Sequence, residues 1–507
     1  MFIDVRTLPD GSRLETDLAI IGGGVAGITL ARALADSRAH ICIIEAGGLE
    51  YDAEVQAFYD GECVGISYPL TGNRLRYFGG SSNHWGGFCR PLEAIDFEVR
   101  DWVPHSGWPF AIDELAPYYG PASEVVEIAP PRFGDKTYWA RHTGTELPDL
   151  PSGRMAQRFV QFSPPTRFGT RYRDELRAAP NVDVLLNANV TLIAARTDGR
   201  SVQAVRIATL NGLHHEVHAR QFVLATGGLE NARMLLLSDD VMPAGLGNRH
   251  DLVGRYFMEH PHLSGFGDIV LADLERLPPI YRRRVRVEGR DASAAFTPSE
   301  RFLRDNALLN AVFMAGEAGT YRDDTTADWP HARQHVDMLR AASHLIGRPH
   351  RPADAPLGNW LGLGCACEQA PNPDSRVMLT DERDRLGLRR IRLDWRLTHQ
   401  DRHSVVTHMR MLAAEIGALG AGRMLVYAEH PDDWPAIVSG GAHHMGTTRM
   451  HDDPRQGVVD RNAKVHGVDN LYIAGSSVFP TSGAANPTLT IVALTLRLAD
   501  HLRTRVT

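Results

Sequence analysis

A chain of 507 residues is long enough to bury more than one core, and two or three domains are expected. Its 43% hydrophobic and 23% charged content is ordinary for a globular protein and excludes disorder as the main state. A formal net charge of −7 supplies no basic face for nucleic acid.

Lysine occurs only at Lys136 and Lys464, neither in a phosphate-loop or Schiff-base motif, so lysine chemistry is not expected. Five cysteines, an odd and sparse set, do not read as a secreted disulfide framework. "CAC" at 365–367 lacks a second Cys/His pair at zinc-ligand spacing; two thiols packed on one strand face are expected there, and no metal. The N-terminus lacks the apolar run of a signal peptide, and no stretch approaches the length of a membrane span. A soluble, cytoplasmic protein is the expectation.

In chain order, the first patterned segment is residues 17–36, "DLAIIGGGVAGITLARALAD". A short apolar strand over 18–21 is followed by Gly22, Gly24 and Gly27 as G-x-G-x-x-G, then by apolar residues at helical spacing, then by a strand "ICIIE" ending on Glu45. Gly22 permits the tight turn, Gly24 lets a pyrophosphate approach the backbone, and Gly27 lets helix and strand pack closely. The helix N-terminus offers N–H groups and a favourable dipole to phosphates, and Glu45 can accept ribose hydroxyls. The motif alone fits NAD or FAD. No second cradle and no C-x-x-x-x-C redox pair follow it.

Residues 79–90, "GGSSNHWGGFCR", place His84 and Trp85 in a loop rich in Gly and Ser, suited to a planar ligand at close range. Near the chain end come "GAHHMGTTRM" (441–450), a short strand "NLYIAG", a small-residue loop, and a helix from Pro487 with an apolar face at Leu489, Val492, Leu496 and Leu498. This is again a strand, a loop and a helix N-terminus, an arrangement that favours anions. Adjacent side chains point to opposite faces of an extended segment, so His443 and His444 do not address one atom together. The nearby Asp452 and Asp453 do not make them a metal site.

The pieces "GGGVAG…IIEAG", "GGSSNHW", "LATGGLENARMLLLS", "LVGRYFMEHP", "EQAPNPDSRV", "HHMGTTRM" and "SSVFPTSGAANPTLT" together resemble the glucose–methanol–choline (GMC) oxidoreductases. They stand in family order from about residue 17 to 503. Within the family the sequence is most similar to bacterial sugar-oxidising members and, in its loop, to pyranose oxidases. The resemblance implies an α/β architecture, α+β overall: a Rossmann-like FAD-binding domain assembled from separated segments (1–110, 181–262 and 435–507), and an antiparallel-sheet substrate domain (111–180 and 263–434). The charged stretch 319–355 reads as helices or an insertion near the site entrance.

The resemblance also implies the reaction. A base takes a hydroxyl proton while the carbinol hydride passes to flavin N5, turning a hydroxyl of a sugar, glycoside, amino sugar or cyclitol into a carbonyl. In the family the base lies three residues before the glycine of H-x-x-G, which is His443 before Gly446; the second position matches Asn486. Gly79, Gly80, Asn83 and Trp85 are carried over as cofactor contacts, with Val190 on the strand whose backbone meets the adenine, Ala225 in the segment that closes the cofactor domain, and Gly475, Ser476, Pro487 and Thr488 near the pyrophosphate and flavin ring. Asn231 lies in the segment closing the cofactor domain. In several relatives a histidine four residues after the second glycine of the loop bonds the flavin 8α carbon. That position is His84, so the FAD is either covalent through His84 or packed beside it. The electron acceptor is oxygen or an unidentified redox partner. The alternatives are a cyanohydrin-type lyase on the same fold and a non-catalytic flavoprotein subunit of a complex.

Overall fold

The computed structural model describes residues 1–150, 152–271, 273–317, 360–426 and 438–506; the stretch 319–355, read from sequence as helices or an insertion, lies outside them. Two large sheets organise the chain. The first is built on parallel strands in the order Phe2–Asp4, Val182–Leu186, Ile41–Ile44, Arg13–Ile21 and His214–Leu224, with Leu471–Ile473 added in parallel to Phe222–Leu224. An antiparallel excursion, Val202–Ala208 and Asn189–Ala195, extends it beyond His214–Leu224. Strands from the start, middle and end of the chain thus share one sheet, and this is the Rossmann-like architecture assembled from separated segments.

Burial explains why these short segments form strands. Leu18, Ile20, Ile41, Ile43, Val184, Val223 and Leu471 are fully buried, as β-branched and Leu-rich runs covered on both faces should be. Each such side chain contributes ~1.5–3 kcal/mol on leaving water. Helix α1 (Val25–Ala33) crosses between the strands Arg13–Ile21 and Ile41–Ile44, and helix α2 (Thr488–Arg503) packs against it.

The second sheet is antiparallel, running Gly422–Val426, Pro261–Leu271, Trp360–Cys367, Ala311–Glu317, Arg290–Pro298, Met155–Phe162 and Phe88–Cys89. Cys365 and Cys367 are buried on one face of the third of these strands with their Sγ atoms 3.1 Å apart. One pairing decides where the chemistry sits. Pro261–Leu263 runs antiparallel to Val438–Gly440, and Met258 bridges Met445 across the same ribbon. Residues 258–263 therefore lie beside 438–445, which brings Glu259 and His260 against His443. Among the described residues no helix is long and apolar enough to cross a membrane.

Candidate active site

The strand Arg13–Ile21 runs into Gly22, and α1 begins three residues later with Gly24 as its cap and no side chain closing the end. Its first internal bond is from Ile28 N–H to the Gly24 carbonyl, 2.9 Å, so the preceding N–H groups face outward. At Gly27 an added Cβ would lie 2.0 Å from the Gly22 carbonyl oxygen, whereas at Gly24 it would meet nothing within 4 Å. The two glycines have different work: Gly27 lets the helix touch the strand, and Gly24 keeps the mouth open. Gly27→Val is accordingly expected to give misfolded protein. Gly24→Val, at an ordinary φ of −87°, should fold but retain FAD at least ~10-fold more weakly. Gel filtration with flavin absorbance, alongside circular dichroism, reads both; a Gly24→Val protein that keeps its flavin overturns the assignment.

Gly24 opens on a cavity of about 580 Å³. From the N-terminal segment Gly22 and Glu45 line it, and from the glycine-rich loop Gly80, His84 and Trp85 do. Val190 and Ala225 line it from the middle of the chain, and Gly475, Ser476, Asn486, Pro487 and Thr488 from the end. The sequence-predicted residues are thus gathered round one space, with three exceptions. Gly27 sits in the helix–strand contact, Gly79 packs against Gly169 and Asn83, and the Asn83 amide donates to the Phe78 carbonyl at 3.1 Å. These three shape the cavity from behind. Asn231 is also behind the wall, its amide joining Thr226 to Ser477.

Glu45 is fixed by two backbone donors, Gly23 N–H at 2.8 Å on Oε2 and Gly47 N–H at 2.9 Å on Oε1. Burial raises its carboxyl from the ordinary value against these bonds and the Arg76 charge. The loop carrying His84 is stapled from outside: the Arg167 guanidinium donates to the Ser82 and Trp85 carbonyls at 2.8 and 3.0 Å, and the Trp85 indole donates to the Thr166 carbonyl at 2.9 Å. His84 follows the turn Gly80–Asn83 and opens to the cavity; burial, then the Arg167 charge, lowers its imidazole below the usual range.

Sequence reasoning missed Arg74, Arg76 and Glu230, which also line the cavity. Arg74 donates to Glu230 at 3.0 Å, Arg76 lies 3.9 Å from the same carboxylate, and Arg233 joins Glu230 to Asp384. Burial works against the Glu230 charge, yet Arg233, Arg74 and Arg76 hold its carboxyl below the ordinary range. Arg76 Nε is buried with no hydrogen-bond partner among the described residues. An unpaired buried guanidinium donor on a cavity wall is costly unless an acceptor fills the space. Two open helix N-termini (α1, and α2 capped by Pro487 without a side-chain bond), a fixed acidic acceptor and this donor fit a dinucleotide.

At another part of the wall stand His443, His444 and Asn486. His443 Nε2 lies 3.2 Å from Asn486 Nδ2, and His443 Nδ1 lies 2.9 Å from His260 Nδ1. The buried Glu259 carboxylate ties the two histidine backbones together: Oε1 accepts from His443 N–H at 2.7 Å and from the Tyr68 hydroxyl, and Oε2 from His260 N–H at 2.9 Å and Gly441 N–H at 3.0 Å. Burial, then the neighbouring His260, His262 and His444, lowers His443 well below the usual imidazole range. Gly446 turns the chain immediately afterwards at φ +84°, with the Tyr256 carbonyl where a Cβ would be. His444 points elsewhere, packing edge-on to Tyr68 at 5.5 Å and tilted over Phe257 at 6.2 Å, its Nε2 buried without a partner among the described residues. "MEHP" is in the family-like motif set, but nothing in the sequence alone gave Glu259 and His260 a role.

Fold and cavity together suit a bound dinucleotide, with a polar, histidine-bearing part of the wall beside it. Residues 371–495 match the family model described as GMC oxidoreductase. The chain is 26% identical to a 2-methyl-1,2-propanediol dehydrogenase of Mycolicibacterium austroafricanum, covering 97% of this chain and 96% of that protein. It is 23% identical to a fructose dehydrogenase large subunit of Gluconobacter japonicus, over 96% and 98%. Its fold matches the crystal structure of pyridoxine 4-oxidase from Mesorbium loti with a TM-score of 0.58, at 20% identity over 96% of this chain and 98% of that one. The chain thus resembles GMC oxidoreductases along nearly its whole length and carries their C-terminal domain over residues 371–495, as the sequence motifs implied; it is an FAD-dependent oxidoreductase acting on CH–OH donors.

Proposed function

We propose that the protein oxidises a hydroxyl of a sugar, glycoside, amino sugar or cyclitol to a carbonyl, with His443 as general base and Asn486 holding the substrate oxygen. The observation that carries this reading is the 3.2 Å approach of Asn486 Nδ2 to His443 Nε2 on the wall of the cavity that also takes in Gly24 and Glu45. Two relatives are named for a diol and for a sugar, which agrees with a polyhydroxy substrate.

Gly24, the N-termini of α1 and α2, Glu45 and Arg76 would hold the FAD, which when bound supplies the hydride acceptor. A hydroxyl placed between His443 Nε2 and the Asn486 amide loses its proton to the imidazole while the amide stabilises the negative oxygen. Hydride leaves readily only as that charge develops, so the two groups act on one event. His443 suits the task because its low basicity keeps it unprotonated at neutral pH. Asn486 cannot take up a proton, so the proton is held on His443 alone. In this reading the parallel sheet lies within the cofactor domain (1–110, 181–262, 435–507) and the antiparallel sheet mostly within the substrate domain (111–180, 263–434).

Anaerobic mixing with a panel of sugars, amino sugars and cyclitols tests the function: at least one should bleach the flavin, and a flavin that none reduces overturns it. The position of His84 at the cavity, with an imidazole that stays neutral, supports covalent FAD attachment through this residue. Acid precipitation is then expected to leave the yellow colour in the pellet, and His84→Ala to move it to the supernatant. Colour wholly in the supernatant with the unaltered protein would dispose of the covalent bond.

A further inference from the structure

His260 does not line the cavity; it is fully buried and in contact with the one nitrogen of His443 that does not face Asn486. Its other nitrogen, Nε2, lies 3.2 Å from the Ser482 carbonyl oxygen. A carbonyl can only accept, so His260 Nε2 must carry the proton there. Burial, then the nearby His262, lowers His260 to about 4, so at neutral pH it is the neutral ring with one N–H only. With that proton on Nε2, His260 Nδ1 has a lone pair and no hydrogen. The 2.9 Å contact with His443 Nδ1 then requires His443 to donate. A neutral His443 protonated on Nδ1 has its lone pair on Nε2, where the Asn486 amide donates at 3.2 Å.

The direction of the chain from Ser482 through His260 and His443 to Asn486 is thus set at its far end by a backbone oxygen. The reverse direction would set His260 Nε2, bare of hydrogen, against the carbonyl, two acceptors 3.2 Å apart and buried. Glu259 holds the geometry from behind, because its two oxygens receive the backbone N–H groups of His443 and His260 separately.

We propose that His260 is a positioning residue that selects the tautomer of His443, accepting its Nδ1–H and thereby leaving Nε2 as the proton-accepting nitrogen beside Asn486. The proposal rests on His443 being the base, and it extends that reading to which nitrogen acts and why. It also assigns the Ser482 carbonyl as the anchor of the arrangement.

The test is the histidine 15N–1H spectrum of the FAD-loaded protein labelled with 15N-histidine, with the His443 ring signals identified by their loss in His443→Ala. In the unaltered protein His443 Nδ1 should be of the protonated type and Nε2 of the bare type. His260→Asn keeps an acceptor oxygen close to the original Nδ1 and should preserve this pattern. His260→Leu removes the acceptor and should give the opposite tautomer or a mixture, with flavin reduction slowed ~10²-fold and substrate affinity little changed. A His443 protonated on Nε2 in the unaltered protein overturns the proposal, and that spectrum decides even if His260→Leu fails to fold. An unchanged pattern in a folded His260→Leu overturns it equally. If the spectrum is as expected but no alcohol bleaches the flavin, the tautomer assignment stands and the alcohol-oxidising reading falls.

Discussion

Replacing His443 with alanine is expected to slow anaerobic reduction of the flavin by an alcohol ~10²–10⁴-fold while the FAD stays bound. The range is that of a positioned proton acceptor, and the geometry explains why nothing else nearby can take over. Asn486 has no basic atom. His260 loses its ring donor in this variant, but it is buried behind the cavity wall and of low basicity, and Glu259 has both oxygens committed to four donors. The groups proposed to hold FAD, Gly24, Glu45 and the two helix ends, do not depend on the His443 ring, so stopped-flow reduction should change without loss of flavin absorbance. His444→Ala should cost far less in rate. Its ring packs among Tyr68 and Phe257, so its removal acts first on stability, through the gap left between two aromatic rings. Equal rate losses in the two variants would mean that the base has been assigned to the wrong histidine.

The difference between these neighbours was partly legible in the sequence. Adjacent side chains on an extended segment diverge, and they do: His443 turns to His260 and Asn486, His444 to Tyr68 and Phe257. Both nevertheless line the cavity, because the backbone between them borders it. The G-x-G-x-x-G cradle was legible for a local reason. Its strand, turn, helix and second strand lie within 33 consecutive residues, from Arg13 to Glu45, and the contact that demands Gly27 is with Gly22 inside that unit, although Gly22 itself abuts Ala225.

Glu259 and His260 were not legible, because their place beside His443 comes from strand pairing between segments some 180 residues apart. No spacing rule reports an antiparallel register across that separation. Arg74 and Arg76 were hidden differently. Arginine supplies nearly all the positive charge of this chain, so two more arginines in a loop carried no contrast. Their burial against Glu230, itself drawn from another segment, is what singles them out. The "CAC" pair was read correctly as neighbours on one strand face, since period-two alternation is a local property.

Asn486→Asp should produce the second large effect, and its sign follows from proton counting. In the unaltered protein burial and the surrounding imidazoles lower His443 well below 6.5, so the acid limb of the pH–rate profile is expected below that value. The reaction needs His443 bare at Nε2, and the rate falls only where that nitrogen is protonated. A carboxyl in place of the amide, 3.2 Å from Nε2, stabilises a shared proton. That proton can sit on the imidazole facing a carboxylate, or on the carboxyl facing a neutral imidazole. Either way it must leave before Nε2 can accept another from the substrate, so the acid limb moves up by ~1–3 pH units. The variant should be slow in acid and recover as the pH rises. Asn486→Ala removes the donor without adding a proton site; its rate should fall at every pH, with no upward move of the limb. An Asn486→Asp profile whose acid limb stays where it began would show that this side chain does not share a proton with His443, and the pairing of the two residues over the substrate oxygen would have to be abandoned.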